Sequence, residues 1–122
     1  YETAAWGKSD QPDFLNMVVL LETTKSATAI LHDIHEIEST LGRQRTIQWG
    51  QRTLDIDILF YNNDIINMPD LVIPHPYLHQ RRFTLVPLVD IASDYMHPVI
   101  GKAISQLLIE CPDKLEVRKY IQ

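Results

Sequence analysis

Two aspartates separated by one residue are the feature of this sequence with the plainest chemical use. Asp55 and Asp57 interrupt a run of residues that otherwise favour β-strands. On a strand, alternate side chains project to one face, with Cα atoms roughly 6.5–7 Å apart. Magnesium takes one or two protein carboxylates together with water and substrate phosphates, so the pair suits a magnesium site. The alternative is an ordinary solvent-exposed strand face.

Arginines surround this pair of carboxylates along the chain. Arg43, Arg45 and Arg52 lie in the polar stretch before it. Arg81 and Arg82 follow further on, in a chain whose formal net charge is −5. Guanidinium groups bind phosphates bidentately, so this local concentration of arginine indicates a small anionic ligand. The alternative is a solvated loop with surface ion pairs.

Further residues could bind a nucleotide or a heterocycle. His75 stands between two prolines, close to the arginine pair, and Asn16 offers both a donor and an acceptor to a ring edge. Flat apolar faces are supplied by four aromatic residues: Trp6, Phe14, Trp49 and Phe83. The four glycines form neither a GxxxxGK[ST] nor a GxGxxG run, so side chains and metal must hold any nucleotide.

Composition bounds the class of protein. A chain of 122 residues with 45% hydrophobic and 22% charged residues is the size and balance of one globular domain. The acidic net charge argues against nucleic-acid binding. The longest apolar run, Met17 to Leu21, is far too short to span a membrane. Cys111 is the only cysteine, which excludes an intrachain disulfide and favours a reducing, cytoplasmic setting.

Hydrophobic spacing predicts the elements that would position these residues. Ser26 is expected to cap a helix with apolar residues three and four apart, and Gly42 to end it. A second helical stretch is expected to be interrupted near Pro87. This second stretch covers Gln80–Ala92, and a third helix is predicted over Ile104–Glu110. The predicted strands are Phe14–Glu22, Thr53–Tyr61 and Leu115–Tyr120.

The segment Trp49–Ile58, Trp-Gly-Gln-Arg-Thr-Leu-Asp-Ile-Asp-Ile, closely resembles the signature of the 6-hydroxymethyl-7,8-dihydropterin pyrophosphokinases. The similarity continues, in the family's order, through Tyr1–Thr3, Asp10–Asn16, Glu38, Gly42–Arg45, Ile73–His75 and Arg81–Phe83. It implies an α+β, ferredoxin-like sandwich with a mostly antiparallel sheet covered by helices. It also implies a single domain over residues 1–122 that lacks the family's N-terminal strand, loop and helix.

The same resemblance implies roles for individual residues. Asp55 and Asp57 would coordinate two magnesium ions bridging ATP, and with Arg43 and Arg52 would form the catalytic group. The residues implied to bind ATP are Arg43, Arg45, Arg52, Ile58, His75 and Arg81. The residues implied to bind the pterin are Thr3, Ala4, Trp6, Phe14, Asn16, Trp49 and Phe83.

The activity implied by the resemblance is transfer of a pyrophosphoryl group from ATP to 6-hydroxymethyl-7,8-dihydropterin in folate biosynthesis. The enzyme would be a cytoplasmic monomer or weak dimer. One alternative is a truncated homologue that binds pterin or nucleotide without turnover. Another is a metal-dependent phosphohydrolase or nuclease using Asp55 and Asp57, which would lack an obvious third carboxylate or histidine in register.

Overall fold

The computed structural model describes residues 1–3, 14–42 and 54–119. Its elements in chain order are β1 (Glu2–Thr3), β2 (Phe14–Leu15), α1 (Ala27–Gly42), β3 (Ile66–Met68), β4 (Leu71–Ile73), a 3-10 helix (Leu78–Gln80), α2 (Arg82–Ala92), α3 (Ile104–Glu110) and β5 (Val117–Arg118). Helices together with small antiparallel sheets confirm the α+β class. The chain divides into two compact units: the first contains residues 1–21 and 76–122, and the second contains residues 22–75.

In the first unit, β1 lies between β2 and β5 in an antiparallel sheet. Thr3 is the register partner of Phe14 on one side and of Val117 on the other. The ladder continues beyond β2, because Tyr1 and Asn16 exchange two backbone hydrogen bonds of 2.7 and 2.8 Å. The strand predicted over Leu115–Tyr120 is confirmed as β5, which is shorter than predicted.

The strand predicted over Phe14–Glu22 is confirmed only at its first two residues. Residues 16–23 have no regular secondary structure, and the Met17 and Leu20 side chains are 78% and 79% exposed. Apolar composition alone suggested a buried strand there. The prediction is wrong beyond Leu15, because a buried strand requires neighbours that take its side chains out of water, and these side chains face solvent.

Helices α2 and α3 contact each other in the first unit. Leu85 and Leu88 of α2 and Ile104 and Leu107 of α3 are buried, each pair three residues apart on one helix face. The prediction for α3 is confirmed at both ends. The predicted interruption near Pro87 is wrong: α2 runs through this buried proline, which indicates that packing outweighs the lost backbone hydrogen bond.

In the second unit, α1 follows the sequence prediction closely. The Ser26 hydroxyl oxygen accepts a hydrogen bond from the Ala29 amide at 3.2 Å, which is the expected cap. Ala27 forms a buried cluster with Leu71 and Ile73 of the β4 strand. Partly buried residues pack against this cluster: Leu31, Ile58, Tyr61 and Ile66. No helix in the described ranges is long and apolar enough to cross a membrane.

The strand predicted over Thr53–Tyr61 is wrong for its described part, since residues 54–60 carry no regular secondary structure. Aspartate is poorly suited to strands, and the Ile56 amide donates to a side chain rather than to a neighbouring strand. The hairpin of β3 and β4, with Asn67 opposite Val72, was not predicted. Strands of three residues are too short for an alternating pattern to stand out.

His97 is a buried polar residue in the turn before α3. Its Nδ1 atom accepts hydrogen bonds from the amides of Val99 at 3.2 Å and Ile100 at 3.0 Å, which requires an unprotonated Nδ1. Gly101, with a φ of 76°, donates its amide to the His97 carbonyl and closes the turn. Burial lowers the pKa of His97, and the charge of His79 lowers it further.

We therefore predict that the free energy of unfolding decreases as the pH falls below about 6.5, the pKa of an unfolded histidine. A base with a lowered folded pKa contributes its full stability above the unfolded pKa, and loses it as the pH falls towards the folded value. His97→Asn keeps an acceptor for the amides and does not titrate. The free energy of unfolding, measured with urea between about pH 7 and 5, should therefore depend less steeply on pH in this variant than in the wild type. His32→Asn, which changes an exposed histidine, is the control. Equal slopes for His97→Asn and the wild type would contradict the assignment.

Candidate active site

The segment with the two aspartates presents both to solvent. Asp55 and Asp57 are exposed, whereas Ile56 and Ile58 are partly buried. Ile58 packs against the cluster that α1 and β4 form, which holds the segment against its unit. The in-and-out alternation expected of a strand is thus present in an irregular segment. Both aspartates can therefore be reached from solvent.

Two hydrogen bonds tie this segment to the rest of its unit. The Glu38 Oε2 atom on α1 accepts from the Ile56 amide at 2.8 Å, at a partly buried position. The His75 amide donates to the Leu59 carbonyl at 3.0 Å. Ile56 stands between the two aspartates, so the orientation of its peptide bears on the directions of both carboxylates.

The family resemblance includes Glu38, but the sequence alone assigns no role to it. Its position does carry a signal, because Ala27, Leu31, Ile34 and Glu38 follow one another at four-, three- and four-residue spacing. That spacing marks one face of a helix, and Ala27 and Ile34 on it are buried. An acid on an otherwise apolar stripe needs a partner, and the Ile56 amide is that partner.

His75 brings an imidazole beside the second aspartate. Its Nε2 atom lies 3.8 Å from Asp57 Oδ2, which is an ion-pair distance but too long for a hydrogen bond. The His75 side chain is 16% exposed and that of Asp57 48%. The histidine is therefore held by its surroundings, while the carboxylate reaches water. Together they can offer a donor and an acceptor to a phosphate and its counterion.

Across the described ranges, no three His, Cys, Asp or Glu side chains come together as a complete metal cage. Asp55 and Asp57 on their own would supply only part of the ligands of a metal ion. Such a set fits magnesium, whose remaining ligands in phosphoryl-transfer sites are water and substrate oxygens.

A second group of predicted site residues lies in the first unit, at the start of α2. The Arg81 guanidinium carbon is 5.5 Å from the centre of the Tyr77 ring and 5.7 Å from that of Phe83. Both distances lie within the range of cation–π attraction. A fixed cation and an aromatic ring therefore stand side by side, which suits a ligand with both an anionic part and a flat part.

Three residues predicted to bind pterin are close neighbours in the first sheet. Thr3 and Phe14 are register partners, and Asn16 follows two residues later with its backbone bonded to Tyr1. The Asn16 side chain is half-buried. The structure therefore brings together the backbones of Thr3, Phe14 and Asn16, and these three belong to the same unit as Arg81 and Phe83.

Six predicted site residues lie outside the described residues and stay predictions: Ala4, Trp6, Arg43, Arg45, Trp49 and Arg52. The described site residues belong to two groups. One contains Asp55, Asp57, Ile58 and His75, and the other contains the residues around β1, β2 and the start of α2.

Comparison with known proteins bears on what these groups are for. Residues 1–93 match the family model of 7,8-dihydro-6-hydroxymethylpterin-pyrophosphokinase (HPPK). The chain is 46% identical over 98 residues to the 2-amino-4-hydroxy-6-hydroxymethyldihydropteridine pyrophosphokinase of Haemophilus influenzae, covering 80% of this chain and 61% of that protein. It is 41% identical over 113 residues to the protein of the same name from Synechocystis sp., covering 91% and 57%.

A third relative is the folic acid synthesis protein fol1 of Pneumocystis carinii, 42% identical over 105 residues, covering 86% of this chain and 14% of that protein. The chain thus spans less than two thirds of the length of each of these relatives. The matched range contains Asp55, Asp57, His75, Arg81 and Phe83. Because the family model matches 93 of the 122 residues, the chain belongs to the 7,8-dihydro-6-hydroxymethylpterin-pyrophosphokinase family.

Proposed function

We propose that this chain transfers a pyrophosphoryl group from ATP to 6-hydroxymethyl-7,8-dihydropterin, giving AMP and the pterin diphosphate in folate biosynthesis. Family membership supports the proposal. The observation that carries it is the exposed pair Asp55 and Asp57, on a segment anchored by Glu38, with the His75 imidazole 3.8 Å from Asp57. A metal–polyphosphate complex is the ligand class that such an arrangement suits.

Asp55 and Asp57 are the residues that would hold magnesium, and we propose two ions. Bound magnesium supplies charge neutralisation on the phosphate oxygens and orients the polyphosphate. The two carboxylates fit this use because both are exposed. With only two protein ligands, the other coordination positions of magnesium are left for phosphate oxygens and water. His75, held by its backbone bond to Leu59, would donate to a phosphate oxygen beside Asp57.

Phosphoryl transfer asks the protein mainly to align donor and acceptor and to neutralise charge. The pterin hydroxymethyl oxygen attacks the β-phosphorus of ATP, the bond from that phosphorus to the α–β bridging oxygen breaks, and AMP leaves. Arg43 and Arg52 would neutralise the developing charge. The residues proposed to bind ATP are Arg43, Arg45, Arg52, Ile58, His75 and Arg81.

The pterin would stack against aromatic rings and hydrogen-bond to a polar side chain. Phe14 and Phe83 are the proposed stacking rings, and Asn16 is the proposed hydrogen-bonding partner. The remaining proposed pterin residues are Thr3, Ala4, Trp6 and Trp49. We further propose a ferredoxin-like sandwich forming a single domain, acting in the cytoplasm as a monomer or weak dimer.

The experiment that tests the function is incubation of the purified chain with ATP, magnesium and the pterin alcohol, followed by separation of the nucleotides and pterins. Equal amounts of AMP and pterin diphosphate are expected. Free pyrophosphate without pterin diphosphate would instead indicate a phosphohydrolase. Binding of both substrates without AMP would indicate a homologue that has lost turnover.

We predict that Asp57→Ala lowers the turnover rate by roughly 10³-fold or more, since charge stabilisation by a metal is worth several kcal/mol. The free energy of unfolding should change little, because Asp57 is exposed. Asp64→Ala changes an exposed aspartate in the same unit and should retain full turnover. Pyrophosphoryl transfer by Asp57→Ala at the wild-type rate would refute the metal assignment.

A second prediction concerns Glu38. Glu38→Ala removes the acceptor for the Ile56 amide. Loss of a residue that orients the metal ligands without binding the metal typically weakens metal affinity or activity roughly 10–100-fold. Glu38→Gln keeps an acceptor and should stay near the wild type. The measurement is the magnesium concentration at half-maximal turnover, with Mn²⁺ binding followed by electron paramagnetic resonance. Glu36→Ala, at an exposed position of α1, is the control. If Glu38→Gln were as impaired as Glu38→Ala, Glu38 would act through its charge and not as an anchor.

A further inference from the structure

Asp113 connects the chain after α3 to the start of α2. Its Oδ2 atom accepts a hydrogen bond from the Arg82 amide at 3.1 Å, and its Oδ1 atom accepts one from the Leu115 amide at 3.0 Å. Both bonds are partly buried, and Asp113 itself is half-buried. One carboxylate thus holds together two stretches of chain that are 31 residues apart in sequence.

The first turn of α2 needs such a partner. The residue before it, Arg81, makes no side-chain cap, and the first turn contains no acidic residue. The Arg81 carbonyl accepts hydrogen bonds from the amides of Thr84 at 3.0 Å and Leu85 at 3.1 Å. The hydrogen bonds within the helix therefore begin at this carbonyl. The Arg82 amide is one of the donors that a helix leaves without an internal acceptor. A carboxylate at this end also interacts favourably with the helix dipole.

The peptide that Asp113 holds is the one that joins Arg81 to Arg82. The Arg81 guanidinium carbon lies 5.5 Å from the centre of the Tyr77 ring and 5.7 Å from the centre of the Phe83 ring. The direction of the Arg81 side chain follows from the extended backbone at that residue, with φ −121° and ψ 105°. Release of the Arg82 amide would allow the first turn of α2 to fray, and Arg81 would lose its fixed place beside Phe83.

We propose that Asp113 is a positioning residue for substrate binding, acting through Arg81 and Phe83. This inference rests on the proposed function, in which these two side chains bind ATP and the pterin. Asp113 lies beyond residues 1–93, so the inference adds a contribution from the part of the chain that the family model does not match.

The test compares Asp113→Ala, Asp113→Asn and a control, Asp94→Ala, for binding of magnesium with α,β-methylene-ATP, whose α–β bond cannot be broken. Asp94 is exposed, and its carboxylate has a 3.5 Å contact with the hydroxyl of the adjacent Ser93. The dissociation constant should rise by about five-fold in Asp113→Ala, the factor that corresponds to loss of a helix cap. Asp113→Asn keeps one acceptor oxygen and should be intermediate, and the control should match the wild type.

A double-mutant cycle with Arg81→Ala separates positioning from general destabilisation. If Asp113 acts through Arg81, adding Asp113→Ala to Arg81→Ala should change the dissociation constant by less than about two-fold, although it still lowers the resistance to urea. In the kinetics, the KM for ATP should rise in Asp113→Ala while kcat stays near the wild type. Should Asp113→Ala not fold, the same cycle is run with Asp113→Asn.

The possible outcomes separate the two proposals. Wild-type affinity in folded Asp113→Ala, or a fully additive effect with Arg81→Ala, would overturn the positioning role and leave the proposed function in place. Failure of the wild-type chain to bind the nucleotide analogue would overturn both.

Discussion

Two negatively charged side chains must stand close together on a segment that has no β-ladder of its own, and this constraint governs the second unit. Asp55 and Asp57 repel each other and favour solvent, so their backbone has to be held from the other side. Ile58 anchors the segment by packing, and Glu38 anchors it through the Ile56 amide. The backbone beside both aspartates is thereby held, while their side chains stay exposed.

The same device recurs at the start of α2. A carboxylate distant in sequence accepts a hydrogen bond from a backbone amide that lies next to a residue with a proposed functional role. Glu38 accepts from the amide between the two aspartates, and Asp113 accepts from the amide that follows Arg81. Both bonds are partly buried, where a charged acceptor makes a stronger hydrogen bond than it would in water. In each case the carboxylate holds the backbone beside a residue that is proposed to bind substrate.

Local sequence signals succeeded where one element decides its own conformation. Ser26, the apolar spacing of α1 and the bounds of α3 follow from capping and helical periodicity. The predictions from local sequence failed where tertiary packing determines the conformation. Pro87 stays inside α2 because it is buried, and the apolar residues after Leu15 do not extend β2 although their composition favours a strand. Neither outcome can be read from the local sequence, since both depend on what packs against these residues.

The sequence by itself determined the family and the candidate chemistry, because residue type and spacing are enough to mark Asp55, Asp57 and the arginines as candidate ligands for a charged substrate. The tertiary structure decided how those residues are held. It placed the His75 imidazole 3.8 Å from Asp57 and the Arg81 guanidinium within cation–π distance of two aromatic rings. It also assigned Glu38 and Asp113 to the peptides beside them. Each of these contacts is a hydrogen bond from a backbone amide to a carboxylate 18 or 31 positions away, and the local sequence of one partner does not identify the other, so only the folded chain pairs them.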